Sequence, residues 1–135
     1  MPVALEIVSP EKLLLSRPVD MVVIPASEGE MGVLPGHAPM IVLLRGGTIR
    51  LYEGNQVTTR LFVAGGFAEI TSERCTVLAD EAVPVAEVSR AEGERRLSAA
   101  EAAYAAADKA DVPALDAEME RMQSARAMIE AAETG

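Results

Sequence analysis

The stretch Thr48-Ile-Arg-Leu-Tyr-Glu-Gly-Asn-Gln-Val-Thr-Thr-Arg-Leu-Phe-Val63 decides the fold. Its first five residues alternate polar and apolar, the period of a strand with one buried face. Glu53-Gly54-Asn55 then turns the chain, and Gln56 to Val63 returns with Val57, Leu61 and Val63 on one face. Two β runs joined by so short a glycine turn read as an antiparallel hairpin.

The same grammar extends outward in both directions. Val3, Leu5 and Ile7 alternate with polar or small partners, and Val19 to Ile24 is a β-branched run that ends at Pro25. Ile41 to Leu44 is closed by Arg45-Gly46-Gly47, and Phe67 to Thr71 and Cys75 to Ala79 follow the Gly65-Gly66 break. Pro2, Pro10, Pro18, Pro25, Pro35 and Pro39 stand where a strand can end or lie at an edge. Short strands at this spacing, with no helices between them, predict an antiparallel β-sandwich or flattened barrel.

The grammar changes near residue 86. Seven of the eight prolines and eight of the ten glycines precede it, and alanine, acid and arginine follow. Ser89-Arg-Ala-Glu92 has the capping-box pattern, and a helix is expected from Arg90 to Ala107. Asp108 to Pro113 breaks it, and a second helix is expected from Pro113 to Glu133 with a stripe of Leu115, Met119, Met122, Ala125, Ile129 and Ala132. The short connection predicts an αα-hairpin. The expected fold is therefore α+β in two segments, a sandwich over residues 1–86 and a helical hairpin over 87–135. Alanine favours helix but buries little area, so the hairpin is expected to be helical and only loosely docked.

Half of the 135 residues are hydrophobic, yet aromatics make up 3%, so the core rests on Val, Ile, Leu, Met and Ala. A net charge of −9 opposes nucleic acid and anionic membrane surfaces and is compatible with a basic protein partner. Cys75 is the single cysteine, and its apolar surroundings make it a core residue. The first residues carry no basic, long apolar signal, and no stretch is long enough for a membrane span.

Catalytic motifs are missing. Neither lysine follows a glycine as a P-loop requires, and one histidine with one cysteine cannot form the usual zinc site. The one suggestive stretch is Ser27-Glu-Gly-Glu-Met-Gly-Val-Leu-Pro-Gly-His-Ala-Pro39, which holds the only histidine. Glu28 and Glu30 could act as paired carboxylates, or His37 with Glu30 as a small catalytic centre. The backbone reading competes with this one: Gly29, Gly32 and Gly36 permit positive φ, and Pro35 and Pro39 fix φ. It makes the stretch a tight loop, a very short strand and a second turn, with His37 hydrogen-bonded to nearby backbone.

This stretch closely resembles the S-E-G-E-x-G-x-x-P-G-H-A-P signature of the epsilon subunits of bacterial F-type ATP synthases. Val63-Ala-Gly-Gly-Phe-Ala-Glu-Ile70 and Val77-Leu-Ala-Asp80 resemble that family's next strands, and the likeness runs the length of the chain. The resemblance implies a non-catalytic central-stalk subunit of the rotor, peripheral on the cytoplasmic face of the bacterial inner membrane, with no lipid insertion of its own. Its sandwich would pack on the gamma subunit and on the c-ring, coupling proton flow to ATP synthesis. Ser27, Glu28, Gly29, Glu30 and Met31 would be the c-ring contact, with Gly32, Pro35, Gly36, His37 and Pro39 shaping the loop.

The resemblance also implies a hairpin that lies on the sandwich or extends along gamma, toward the alpha and beta subunits, and restrains hydrolysis. Arg90, Arg95, Arg96, Arg121 and Arg126 would then face acidic catalytic subunits, or simply pair with Glu92, Glu94 and Glu130. Some members bind ATP through an I/L-D-x-x-R-A motif. Here Arg90 and Ala91 match, while Ala86 and Glu87 replace the aliphatic residue and the aspartate. The expectation is no cofactor. The rival reading is a free-standing nucleotide-binding regulator, with Glu87, Arg90, Ala91, Arg121 and Arg126 at its site.

Overall fold

The computed structural model describes residues 2–134. Ten strands come first: β1 (Val3–Val8), β2 (Leu13–Val19), β3 (Met21–Ala26), β4 (Gly29–Val33), β5 (Met40–Leu44), β6 (Gly47–Glu53), β7 (Gln56–Val63), β8 (Gly66–Ile70), β9 (Arg74–Ala79) and β10 (Ala82–Pro84). A short 3-10 turn (Val85–Glu87) leads into α1 (Arg90–Ala106) and α2 (Val112–Thr134).

The strands run in the order β10-β7-β6-β3-β5-β8-β9-β1-β2, with β4 on the free flank of β3. Every pairing is antiparallel except β1 with β9. The sheet folds into two layers where β3 changes partner. Met21 to Val23 pair with β6, whereas Ala26 pairs with Leu44 of β5. Pro25 stands at that change-over. A proline has no N–H to give a ladder, and none is needed where the strand leaves one partner for another. The β3 run therefore continues through Pro25 to Ala26 instead of ending there, and the Pro25 carbonyl accepts from the Arg45 N–H at 2.9 Å.

The expected hairpin is β6–β7. A register shift at Leu51/Tyr52 brings Tyr52 opposite Val57, and Gly54 makes the turn at φ +63°. Inner faces of both layers supply one core, including Val3, Leu5, Ile7, Val22, Ile24, Ile49, Leu51, Val63, Ile70 and Cys75, each at most 1% exposed. Burial pushes the Cys75 thiol up to about 11, because the interior cannot solvate a thiolate. At the open seam Arg17 of β2 points inward and donates to the Thr59 hydroxyl of β7 at 2.5 Å. An inward charge there discourages a further strand from adding at the edge.

Phe62 faces the other way on β7 and is fully buried in a second, small cluster with Val85, Met128 and Ala131. This is the apolar grip of the hairpin on the sandwich. Two polar fasteners supplement it. Gln123 of α2 accepts from the Gly46 N–H at 2.9 Å and donates to the Gly46 carbonyl at 2.7 Å. Arg96 of α1 donates twice to Glu81, at 2.6 and 3.0 Å, and this ion pair holds the Glu81 carboxyl below its usual range. Gly46 lies so close under α2 that an added Cβ would stand 2.5 Å from Ser124 Cα.

Two helix expectations need correction. Ser89 does cap α1, accepting from the Glu92 N–H at 3.1 Å, but Glu92 turns to Arg95 and Arg96 instead of closing the box, and they hold it down to about 2. The α2 stripe is also rotated. Ala125, Met128 and Ala131 are the buried positions, and Met119 is 53% exposed. Helix α2 has two neighbours, α1 and the sandwich, so no single stripe describes it. Gly93 of α1 is the close point between helices, where a Cβ would stand 2.8 Å from Ile129 Cγ1. No helix among the described residues is long and apolar enough to cross a membrane.

Candidate functional site

The expected loop is the β3–β4 hairpin. Ala26 pairs with Gly29, leaving Ser27 and Glu28 at the tip. Gly29 adopts φ +136°, a backbone that side chains rarely accept. The Ser27 N–H donates to the Leu43 carbonyl at 2.9 Å and ties the tip to β5. The tip is exposed but anchored on both sides.

The two acids of the tip differ. Glu30 accepts twice from the Arg50 guanidinium, at 2.8 and 3.1 Å, and this pairing raises the guanidinium further above its usual range. Glu28 has no partner among the described residues and is exposed. Met31 is half-buried and packs against the sandwich core.

Beyond β4 the chain makes the second turn. The His37 N–H donates to the Leu34 carbonyl at 3.2 Å, with Pro35 and Gly36 between them and Gly36 at φ +84°. Proline followed by a positive-φ glycine is the pattern of a type II turn. The Gly36 N–H reaches Ser72 at 2.8 Å, and His37 Nδ1 lies 2.7 Å from the Ala38 carbonyl. Pro39 leads exposed into β5. Gly32 differs from the expectation: it has no positive φ and lies inside β4 opposite Val23. Because Glu30 is engaged by Arg50 and His37 by its own turn, these two residues form no hydrogen-bonded pair.

The hairpin residues lie apart. Glu87 ends the 3-10 turn, and Ala91 is exposed in the first turn of α1. Arg90 pairs with Glu94 at 2.9 Å and with Glu133 at 2.8 Å. Arg121 pairs with Glu118 at 2.6 Å. Arg126 lines a cleft of about 750 Å³ with Arg45, Arg50 and Arg60. The five do not converge on one pocket. No group of three His, Cys, Asp or Glu residues suited to a metal occurs among the described residues.

One surface escaped the sequence reading. Leu43 pairs with Phe67, Phe67 with Leu78, Leu78 with Val8, and Val8 with Leu13, so these residues form one row across the outer face of β5, β8, β9, β1 and β2. Leu43 is 67% exposed, Phe67 42%, Leu78 38% and Leu13 55%, and Ile41 beside them is 68%. A contiguous apolar strip of this kind marks an interaction surface. The signal was present in Met40-Ile-Val-Leu-Leu44, which is apolar on both faces and so asks for cover on both.

Residues 2–85 match the family profile described as the ATP synthase delta/epsilon chain, beta-sandwich domain. The chain is 76% identical over 129 residues to the ATP synthase epsilon chain of Granulibacter bethesdensis, covering 96% of each protein. It is 54% identical over 132 residues to the ATP synthase epsilon chain of Gluconacetobacter diazotrophicus, covering 98% of this chain and 94% of that one. Among solved structures, it superposes on a chain of the Euglena gracilis mitochondrial ATP synthase OSCP/F1/c-ring assembly with TM-score 0.77 at 23% identity, covering 96% of this chain and 81% of the other. It also matches a chain of the Tetrahymena thermophila mitochondrial ATP synthase central stalk and c-ring, with TM-score 0.67 at 13% identity and coverage of 98% and 97%. These two likenesses speak to the fold. The sequence matches, which span both the sandwich and the hairpin, carry the assignment: the chain belongs to the ATP synthase delta/epsilon family, with the epsilon chains.

Proposed function

We propose that this chain links the gamma subunit to the c-ring within the rotor of an F-type ATP synthase. In this role it couples proton translocation to ATP synthesis from the cytoplasmic face of the bacterial inner membrane. The observation that carries this reading is the pairing of two surfaces on one rigid sandwich. One is the anchored acidic tip at Ser27–Glu30, and the other is the exposed row through Leu43, Phe67 and Leu78. The row takes the gamma subunit through apolar contact, and the tip takes a basic loop of the c-ring. Glu28 supplies the free charge, Glu30 sets the stance of the loop through Arg50, and Met31 stiffens its base from the core side.

The hairpin restrains hydrolysis by leaving the sandwich for the alpha and beta subunits. A small apolar grip and a few polar fasteners suit an element with two states of similar free energy. The reading needs no cofactor. The rival nucleotide-binding regulator draws less support, since Arg90 and Arg121 are engaged by glutamates and Arg126 lies over a different cleft.

The test is recovery of tagged chain from detergent extracts of its own membranes, with retained proteins identified by mass. Gamma and the catalytic subunits are expected together. A chain recovered alone, with an intact synthase left in the unbound fraction, overturns the reading.

A further inference from the structure

With a net charge of −9, this chain has carboxylates to spare for its arginines. Six of the ten arginines use them: Arg50, Arg74, Arg90, Arg95, Arg96 and Arg121 each pair with a glutamate. Arg17 is turned inward to Thr59. Among the described residues, the remaining three, Arg45, Arg60 and Arg126, have no carboxylate at ion-pair distance. All three line a single cleft of about 750 Å³ where α2 meets the sandwich, and Arg50 lines it with them.

The sheet brings two of these charges together. Arg50 of β6 stands directly opposite Arg60 of β7 in the ladder. Residues so placed share a face with Cβ atoms about 5 Å apart, and like charges there repel. Glu30 accepts two hydrogen bonds from Arg50 and partly neutralises it, but Arg60 gains nothing from this. Arg45 adds its charge from the corner between β5 and β6, and Arg126 adds one from α2. Against these four guanidinium groups the lining holds two carboxylates, Glu30 and Glu130. The cleft is a positive spot on an acidic protein.

The lining also selects the kind of anion. Guanidinium forks match the oxygens of a phosphate group, and several of them around one cleft suit an anion with several charges. The volume is that of a small-ligand site. No aromatic side chain lines it, so a nucleobase has no face to stack on. No residue of α1 lines it either, which leaves out Arg90 and Ala91.

We propose that this cleft binds a compact, multiply charged phosphate anion of the pyrophosphate or tripolyphosphate class. Arg45, Arg50 and Arg60 hold it from the sandwich and Arg126 from α2. The anion supplies to these side chains the negative charge that glutamates supply to the other arginines. The site goes beyond the rotor role and does not depend on it. The same phosphate chemistry can also arrive as the tail of a nucleotide, whose base would then gain nothing from the cleft.

Titration calorimetry of the full chain with tripolyphosphate, at low and at physiological ionic strength, tests the site. Saturable binding of one anion per chain is expected, weakening as salt rises. Arg60→Gln and Arg126→Gln should each lower the affinity by about tenfold or more. Arg74→Gln and Arg90→Gln remove the same charge elsewhere and should change it by less than about twofold. All four side chains are exposed, so the variants keep the fold. ATP should bind no more tightly than tripolyphosphate. Absence of saturable binding, or an equal loss in Arg74→Gln, would mean that the arginines act only as diffuse surface charge, and the site is overturned. ATP binding about tenfold tighter than tripolyphosphate, with the advantage lost in Arg90→Gln, would put the ligand at the start of α1 and overturn the site as well.

Discussion

At the residue scale, single positions show which constraints belong to the backbone and which to charge. Gly66 has φ +131°, and an added Cβ would stand 2.1 Å from the Leu78 carbonyl oxygen. There is neither a conformation nor space for a side chain, so Gly66→Ala should cost more than about 4 kcal/mol, read from urea unfolding. Cys75 gives a pH signature. Its pKa is about 11 in the folded chain, against 9.0 for an ordinary thiol. Between those values the unfolded chain has lost a proton that the folded chain keeps, so stability must fall as pH rises. The loss should reach about 2–3 kcal/mol between pH 9 and 11 and vanish in Cys75→Ala, checked by unfolding both proteins across that range. The glycine-and-proline logic of Ser27–Pro39 was legible because it is local. The Glu30–Arg50 pair was not, since two exposed residues twenty positions apart leave no pattern in sequence.

At the scale of elements, both helices were visible from spacing and breaks. Their docking was not. The hairpin is fastened by Gln123 to the backbone of Gly46, and a backbone partner has no sequence identity to detect. β2 was missed because Leu13-Leu-Leu-Ser-Arg-Pro-Val19 does not alternate, as suits an edge strand half open to solvent. β10 is three residues long and carries no period at all. Gly46 separates the two segments experimentally. Its φ is not in the positive region, so Gly46→Ala leaves the β5–β6 corner able to form, yet the new Cβ collides with Ser124. The expected outcome is a sandwich of near-normal stability with α2 amides exchanging about ten- to a hundredfold faster, measured by hydrogen exchange.

At the scale of the whole molecule, an acidic body presents a charged tip and an apolar flank from one rigid core. Glu28 has no partner to neutralise it among the described residues. Glu28→Lys should therefore slow assembly with the rotor and flatten its salt dependence, whereas Glu28→Gln should have a smaller effect of the same sign. Stopped-flow binding to complexes depleted of the chain, at several ionic strengths, reads this directly. A Glu28→Lys protein with unchanged rate and salt slope would remove the tip from the docking surface.

The one parallel pairing, β1 against β9, sets the order of events during synthesis. Ala4 cannot meet Arg74 until nearly all of the sandwich has been made, and β1 otherwise has only β2 beside it. Contacts that close so long a loop form late and slowly. The first hairpin must wait on the ribosome with Leu5 and Ile7 uncovered while the strands between are translated. Its other flank is covered only once β9 has been made. The chain is thus most exposed to aggregation before β9 emerges, and the helices, which follow, arrive on a body that has just closed.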